Sequence, residues 1–430
     1  MNPRIHVVET SDVSKTAETS LSTRYRQVRA MSEKLAAPLA PEDQTVQIDW
    51  FASPTKWHLA HVTWFFETFV LEQAMPRYTG FHPAFRELFN SYYNSVGDQF
   101  PQQLRGTLSR PTVAEVMEYR RHVDELMTEL LEGHAEKLLD DLADVVVLGL
   151  HHEQQHQELL VTDIKYVFAH NPIYPVYQPR QPVRSEPRQL GWIGFPSGVN
   201  WVGHDGDEFI FDNEAPRHRV FLEAFELASR PVTNGEYLEF IEDGGYEQPD
   251  HWLSLGWKTA CEQGWKAPLY WHRRDDGWHH YTLAGLRKVE KSEPVCHVSY
   301  FEADAYARWA DARLPTEQEW EIASANVPIN GNLVDNWHFH PLPAPDSDAG
   351  PLQMFGDVWE CTASHYSPYP GYTTRAGALG EYNGKFMCNQ FVLRGGSCAT
   401  PREHTRRTYR NFFPPHLRWQ FQGFRLARDA

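Results

Sequence analysis

The chain predicts a two-part α+β protein, a helical bundle followed by a larger loop-rich unit. Three observations predict it. Apolar residues recur at helical spacing from about Leu21 to Ala169. A proline run (Pro172, Pro175, Pro179, Pro182, Pro187) then ends the pattern and reads as an extended, stiff tether. After Gly191, short apolar runs mix with Gly, Pro, Asn and Trp, the texture of irregular α+β structure with long ordered loops. The expected units are 15–170, a linker over 171–190, and 191–430.

Each element has a local signal. A first helix is expected from Ser20 to Ala37. Ser53-Pro54 reads as an N-cap followed by Pro at the first helical position, opening a second helix through His61. Thr112-Val113-Ala114-Glu115 is a capping box, and the helix it opens runs toward Leu131 before Gly133. A fourth covers about Ala143 to Ala169, completing a four-helix bundle. The connection from Tyr78 to Pro111 is long for a bundle, and such loops often carry function. Beyond the tether two helices are expected, one after Thr233-Asn234 and one from Ser299 to Ala312.

Composition excludes several classes. A net charge of −17 argues against a nucleic-acid groove or an anionic membrane surface. Five cysteines without a C-x-x-C pair argue against a secreted disulfide scaffold. No apolar run is long enough to span a bilayer, and the polar stretch after Met1 lacks a signal-peptide core. A cytoplasmic protein is expected.

The chemistry concentrates in His151-His152-Glu153-Gln154-Gln155-His156-Gln157-Glu158. Histidines four apart on a helix share one face and can grip a single metal ion. His152 and His156 are such a pair, and Gln155 is placed to reach a ligand beside the metal. His61, on the second helix, offers a third imidazole; His58, one turn earlier, is its rival. His151 lies about 100° around the helix from His152 and leaves that face. With 22 histidines in the chain, a solvated helix face is the plain alternative. Leu148, Leu159 and Leu160 count against it, because they make this a core helix whose inward histidines need partners. Three neutral imidazoles with open positions suit zinc, copper or ferrous iron. His152-Glu153-Gln154-Gln155-His156 also matches the H-E-x-x-H of zinc proteases formally. Against that rival, the third histidine lies upstream and a second large unit of another kind follows.

Several motifs of the second unit are specific. Arg230-Pro231-Val232-Thr233-Asn234-Gly235-Glu236-Tyr237 and Arg313-Leu314-Pro315-Thr316-Glu317-Gln318-Glu319-Trp320-Glu321 resemble blocks of the formylglycine-generating-enzyme-like domains. Gly356-Asp357-Val358-Trp359-Glu360, Val392-Leu393-Arg394-Gly395-Gly396-Ser397 and Gly423-Phe424-Arg425 match three more. The resemblance implies a C-type-lectin-like fold. Arg313, Glu317, Trp320 and Trp359 read first as residues that knit a loop-rich fold together. The redox cysteine pair of that enzyme is not evident, since Cys388 and Cys398 are ten residues apart, so sulfatase maturation is disfavoured.

The first unit resembles the DinB family through the H-x-x-x-H-x-E pattern of His152, His156 and Glu158. The combination resembles the sulfoxide synthases of ergothioneine biosynthesis over nearly the whole chain. That resemblance implies a non-haem iron oxidoreductase, with Fe(2+) on His61, His152 and His156. It would couple a thiol to C2 of N-α-trimethylhistidine (hercynine) with O2. Such chemistry needs a proton donor that favours coupling over plain thiol dioxygenation. Tyr92 and Tyr93 in the long loop are the expected donors, with Tyr366 and Tyr369 as rivals. Gln155, Asn411, Phe412 and Phe413 are the expected hercynine contacts, aromatic faces suiting a quaternary ammonium. Arg105 or Arg110 would hold the carboxylate of the thiol substrate. Where some relatives carry an acidic residue for γ-glutamylcysteine this chain has Phe413, which favours cysteine. Ovothiol-type coupling of cysteine to histidine, a zinc-dependent DinB-type thiol transferase and a non-catalytic binding module remain alternatives.

Overall fold

Among the described residues four long helices form the first unit: α1 (Leu21–Ala36), α2 (Thr55–Phe66), α3 (Val113–Glu132) and α4 (Glu136–Ala169). The computed structural model describes residues 20–430 apart from 134–135, 184, 348–349 and 375–377. The expected start of the first unit at residue 15 lies outside the described residues. Ser20 caps α1 by accepting from the Thr23 amide, and Thr112 and Glu115 close the capping box on α3. Ser53 does not cap α2. Pro54 occupies that position, and the Ser53 hydroxyl accepts from Arg105 instead.

Every residue of α2 is buried, and the helix continues through a π-helical turn, Glu67–Leu71. Its aromatic residues press on α4 at Gly149, where a Cβ would stand 2.6 Å from a Phe66 ring carbon. Only the missing side chain permits that approach. Across the bundle Glu153 is fully buried and accepts from Arg29, Arg120 and Ser32 at 2.9, 2.7 and 2.6 Å. Burial raises its pKa, but Arg120 and Arg29 outweigh that and hold it at about 2. The acid of the H-E-x-x-H match is thus committed to α1 and α3. It has no part in the histidine face, and the zinc-protease reading falls with it.

The long loop is ordered and hangs from α2. The Trp64 and Trp57 indoles and the His61 imidazole bond the carbonyls of Arg86, Leu88 and Phe89. Among its described residues the tether contains neither helix nor strand, but it is anchored. Tyr177 donates to the Leu35 carbonyl of α1, while its amide meets Leu283 of the second unit.

The second unit carries twelve short strands among the described residues. β1 (Trp192–Phe195), β4 (Phe225–Ala228) and β12 (Ala427–Asp429) form one sheet, which ties the unit's beginning to its end. β2 (Gly198–Val202) and β3 (His218–Leu222) form a hairpin. β5 (Trp271–Arg274), β6 (Gly277–Thr282) and β7 (Gly285–Lys288) form a meander. The fourth sheet has the order β10-β9-β8-β11, built from β8 (Trp359–His365), β9 (Phe391–Arg394), β10 (Asn411–Phe413) and β11 (Gln422–Gly423).

Four helices accompany these strands where two were expected: α5 (Asn234–Glu242), α6 (Ser254–Gln263), α7 (Tyr300–Trp309) and α8 (Glu317–Ala323). Of the two missed, α8 is only seven residues long, and α6 has no side-chain cap to announce it. The repeated motifs are helix entrances. Arg230 pairs with Glu236 and Arg313 with Glu319, and each glutamate also closes a capping box on Thr233 or Thr316. Glu360 holds Arg425 and the Trp320 indole, so the G-D-V-W-E, E-W-E and G-F-R blocks meet in one buried cluster.

Candidate metal centre

His61 from α2 and His152 and His156 from α4 converge at the bundle core, one donor atom of each lying within 4.8 Å of the others. His61 Nε2 and His152 Nε2 are 3.1 Å apart. The outer nitrogens explain the arrangement. His61 Nδ1 lies 2.6 Å from the Phe89 carbonyl, which can only accept, so Nε2 of the neutral ring keeps its lone pair. His58 stands behind the trio. Its Nε2 meets Asp163 at 3.0 Å and its Nδ1 meets His156 Nδ1 at 2.8 Å. With Nε2–H donating to the carboxylate, His58 Nδ1 accepts from His156 and leaves His156 Nε2 free to face inward. Asp163 is itself fixed by the Ser53 amide and the Trp419 indole. Burial pushes all three imidazoles below the usual histidine range, His152 to about 3, so each presents the neutral form that binds a metal.

A cavity of about 190 Å³ opens beside His152 and His156. Gln155 and Glu158 enter it from α4, Tyr92 from the long loop, and Tyr382, Phe386, Tyr409 and β10 from the second unit. The expected contacts Asn411, Phe412 and Phe413 all lie on its wall. Gln155 is held at both ends, donating to Tyr409 at 2.7 Å and accepting from Tyr382. Tyr382 stands edge-on to His152, with ring centroids 5.8 Å apart. Tyr382 and Tyr409 escaped the sequence reading. They sit more than two hundred positions from Gln155 in loops without periodicity, and no local signal marks them.

Tyr92 lines the cavity and stacks on Tyr93 at 4.6 Å, with hydroxyls 3.4 Å apart. Burial raises the pKa of both, so each keeps its proton. Asn90 fixes the turn that carries them, and Glu381 clasps the Asn94 and Ser95 amides from the second unit. Tyr366 and Tyr369 are placed apart. Tyr366 accepts from Asn213 and stacks on Phe412 at 3.9 Å, and Tyr369 bonds Glu317. Arg105 is not on the cavity wall; it lies over the Trp57 ring and donates to Ser53. Arg110 is exposed and bonds the Ser109 carbonyl.

Glu158 seals the two units together. Fully surrounded, it accepts from the Trp359 indole at 2.5 Å and from Ser397 and Thr400 at 2.8 Å each. The last position of H-x-x-x-H-x-E therefore binds the partner unit, not the histidine centre.

A bundle with three converging histidines that completes its cavity with a lectin-like unit defines the class. Residues 24–160 match the DinB superfamily model, and 181–340 and 336–430 match the sulfatase-modifying factor enzyme 1-like domain. Hercynine oxygenase of Mycolicibacterium thermoresistibile is 33% identical over 415 residues, 89% of each chain. That of Mycobacterium tuberculosis is 33% identical over 408 residues, 89% of this chain and 92% of its own. Ergothioneine biosynthesis protein 1 of Schizosaccharomyces pombe is 29% identical over 242 residues, 51% of this chain and 28% of that one. The chain belongs to the hercynine oxygenase family.

Proposed function

We propose that this enzyme couples a thiol to C2 of hercynine on Fe(2+) held by His61, His152 and His156. The observation that carries the reading is the convergence of three neutral imidazoles, two of them lining a cavity walled by tyrosine, amide and phenyl groups. The donor set fits a borderline divalent metal with open positions, and the outer hydrogen bonds of His61 and His156 orient the rings for it. Ferrous iron would supply the redox chemistry with O2: thiol and imidazole each give up one hydrogen, a C–S bond forms, and sulfoxide and water result.

The chain's own groups bind, orient and hold protons. Gln155, fixed by Tyr382 and Tyr409, presents an amide beside His156, and Phe412 and Phe413 offer faces to a trimethylammonium group. Tyr92 keeps a proton at its hydroxyl on the cavity wall, and Tyr93 backs it. Amides of Asn383, Asn411 and Gln420 on the same wall are the donors available to a substrate carboxylate, in place of Arg105. Phe413, packed on Trp419, favours cysteine over γ-glutamylcysteine. In this reading 15–170 is the metal-carrying bundle, 171–190 the tether and 191–430 the lectin-like unit. Among the described residues no helix is long and apolar enough to cross a membrane, and all five cysteines are free thiols, which supports a cytoplasmic setting.

The test is O2 uptake by anaerobically iron-loaded protein given hercynine with cysteine or with γ-glutamylcysteine. Uptake that needs both partners, with a hercynine–cysteine sulfoxide by mass spectrometry, is expected. Uptake with histidine in place of hercynine would favour ovothiol-type coupling. Zinc retention without O2 use would favour a transferase.

A further inference from the structure

A buried guanidinium stands behind the three histidines with no part in the proposed reaction. Arg105 lies in the short helical turn Gln102–Thr107 and is only 4% exposed. Its Nη1 donates to the Ser53 hydroxyl at 3.0 Å, while its Nε is buried without a partner. Among the described residues it forms no ion pair. Asp163 is the carboxylate whose charge reaches it, and that group is already taken by the Ser53 amide, His58 and the Trp419 indole. Buried charges are ordinarily paired, so one held without a carboxylate against it calls for a reason.

Its resting place supplies one. Arg105 Cζ stands 3.4 Å over the Trp57 ring, and the His61 imidazole stacks on the same indole at 4.7 Å and 12°. A guanidinium that close covers one face of the indole, so the imidazole takes the other. Trp64 closes the far side of His61 at 5.7 Å and 17°. Guanidinium, indole, imidazole and indole thus form one continuous buried stack, with a metal-ligating ring as its third layer. Its charge is felt at the centre. Burial and the neighbouring imidazoles do most to keep His61 and His156 neutral, and the Arg105 cation adds to both. Little solvent lies between to screen it. A fixed cation near a metal disfavours whichever state carries more positive charge, and ferric iron carries one charge more than ferrous.

We propose that Arg105, acting across Trp57, raises the ferric–ferrous potential of the centre and so keeps its iron ferrous. Arg105 touches neither the cavity nor a metal ligand; it is a positioning residue that sets the field there. The inference rests on iron at His61, His152 and His156, as proposed above.

The test is a redox titration of the iron-loaded full chain without substrates, with the ferric signal followed by electron paramagnetic resonance. In Arg105→Gln the ferric-to-ferrous ratio at a fixed potential is expected to rise about tenfold, a drop of about 59 mV for one electron. Arg105→Lys returns the charge and should stay near the wild type. So should Ser53→Ala, which removes only the hydrogen bond. Arg105→Met is a second neutral variant should the glutamine fail to fold. Zn2+ affinity separates lost charge from a damaged site: removing a nearby cation tightens binding several-fold, whereas disorder weakens it. An unchanged potential in the neutral variants, or a drop in Arg105→Lys as large as in Arg105→Gln, would overturn the inference while leaving the iron site intact. Iron missing from every protein, the wild type included, would overturn the metal reading and the inference with it.

Discussion

His58 stands one hydrogen bond behind His156 and one before Asp163. Removing its ring leaves His156 Nδ1 buried without an acceptor and frees the ring to rotate. Groups in that position typically contribute 10–100-fold to metal affinity. His58→Ala is therefore expected to weaken iron binding by about that range while His61→Ala abolishes it; iron content after dialysis reads the difference. Equal loss in both would make His58 a ligand. Tyr92 tests the chemistry at the same scale. Tyr92→Phe removes the proton on the cavity wall but keeps the ring stacked on Tyr93. The expected result is a shift of product from sulfoxide toward cysteine sulfinate, roughly 10-fold or more in ratio, as for loss of a general acid. An unchanged ratio would pass the role to Tyr382, which also faces His152.

At the scale of elements, α4 works on three faces. His152 and His156 face His61 at the proposed metal centre, Glu153 faces α1 and α3, and Glu158 faces the lectin-like unit. Glu153→Gln removes the buried charge that Arg29 and Arg120 share and leaves them Asp124 and Glu33 at the bundle edge, so the loss should stay below the ~3–5 kcal/mol of a fully broken buried pair. Urea denaturation should show that loss. The pH dependence has a definite sign. The folded pKa of about 2 lies below the ordinary glutamate value, so the stabilisation is full above pH about 4.3 and fades as pH falls toward 2. Glu153→Gln should flatten the stability profile in that window, and a parallel profile would contradict the assignment.

For the molecule as a whole, the cavity exists because the units are locked together. Glu158 takes three buried donors from the second unit, and Glu381 clasps the loop that carries Tyr92. Glu158→Ala leaves the buried Trp359 indole without an acceptor, at about 1–3 kcal/mol, and takes one bond each from Ser397 and Thr400, which keep each other. The expected outcome is faster proteolysis in the tether and a KM for hercynine raised several-fold, with iron content near wild type. Loss of iron with unchanged proteolysis would instead place Glu158 at the metal centre.

Local chemistry made much of this legible in one dimension. Apolar periodicity outlined the four bundle helices, the Thr112 cap marked the start of one of them, and i,i+4 spacing put His152 and His156 on one face. Two of the ordered motifs of the second unit are helix entrances made locally, Arg230 with Glu236 and Arg313 with Glu319, whereas the Glu360–Arg425 pair joins blocks far apart in the chain. What depended on rotation of one helix against another was not legible. Spacing alone allowed His58 or His61 to join His152 and His156, and a loop arginine to reach the cavity. Packing decided both: the Phe89 carbonyl and Asp163 set the two rings apart, and Trp57 holds Arg105 away from the cavity. Tyr382 and Tyr409 meet Gln155 only when distant loops close on one another. Periodicity carries no record of that closure; only tertiary packing brings such groups into contact.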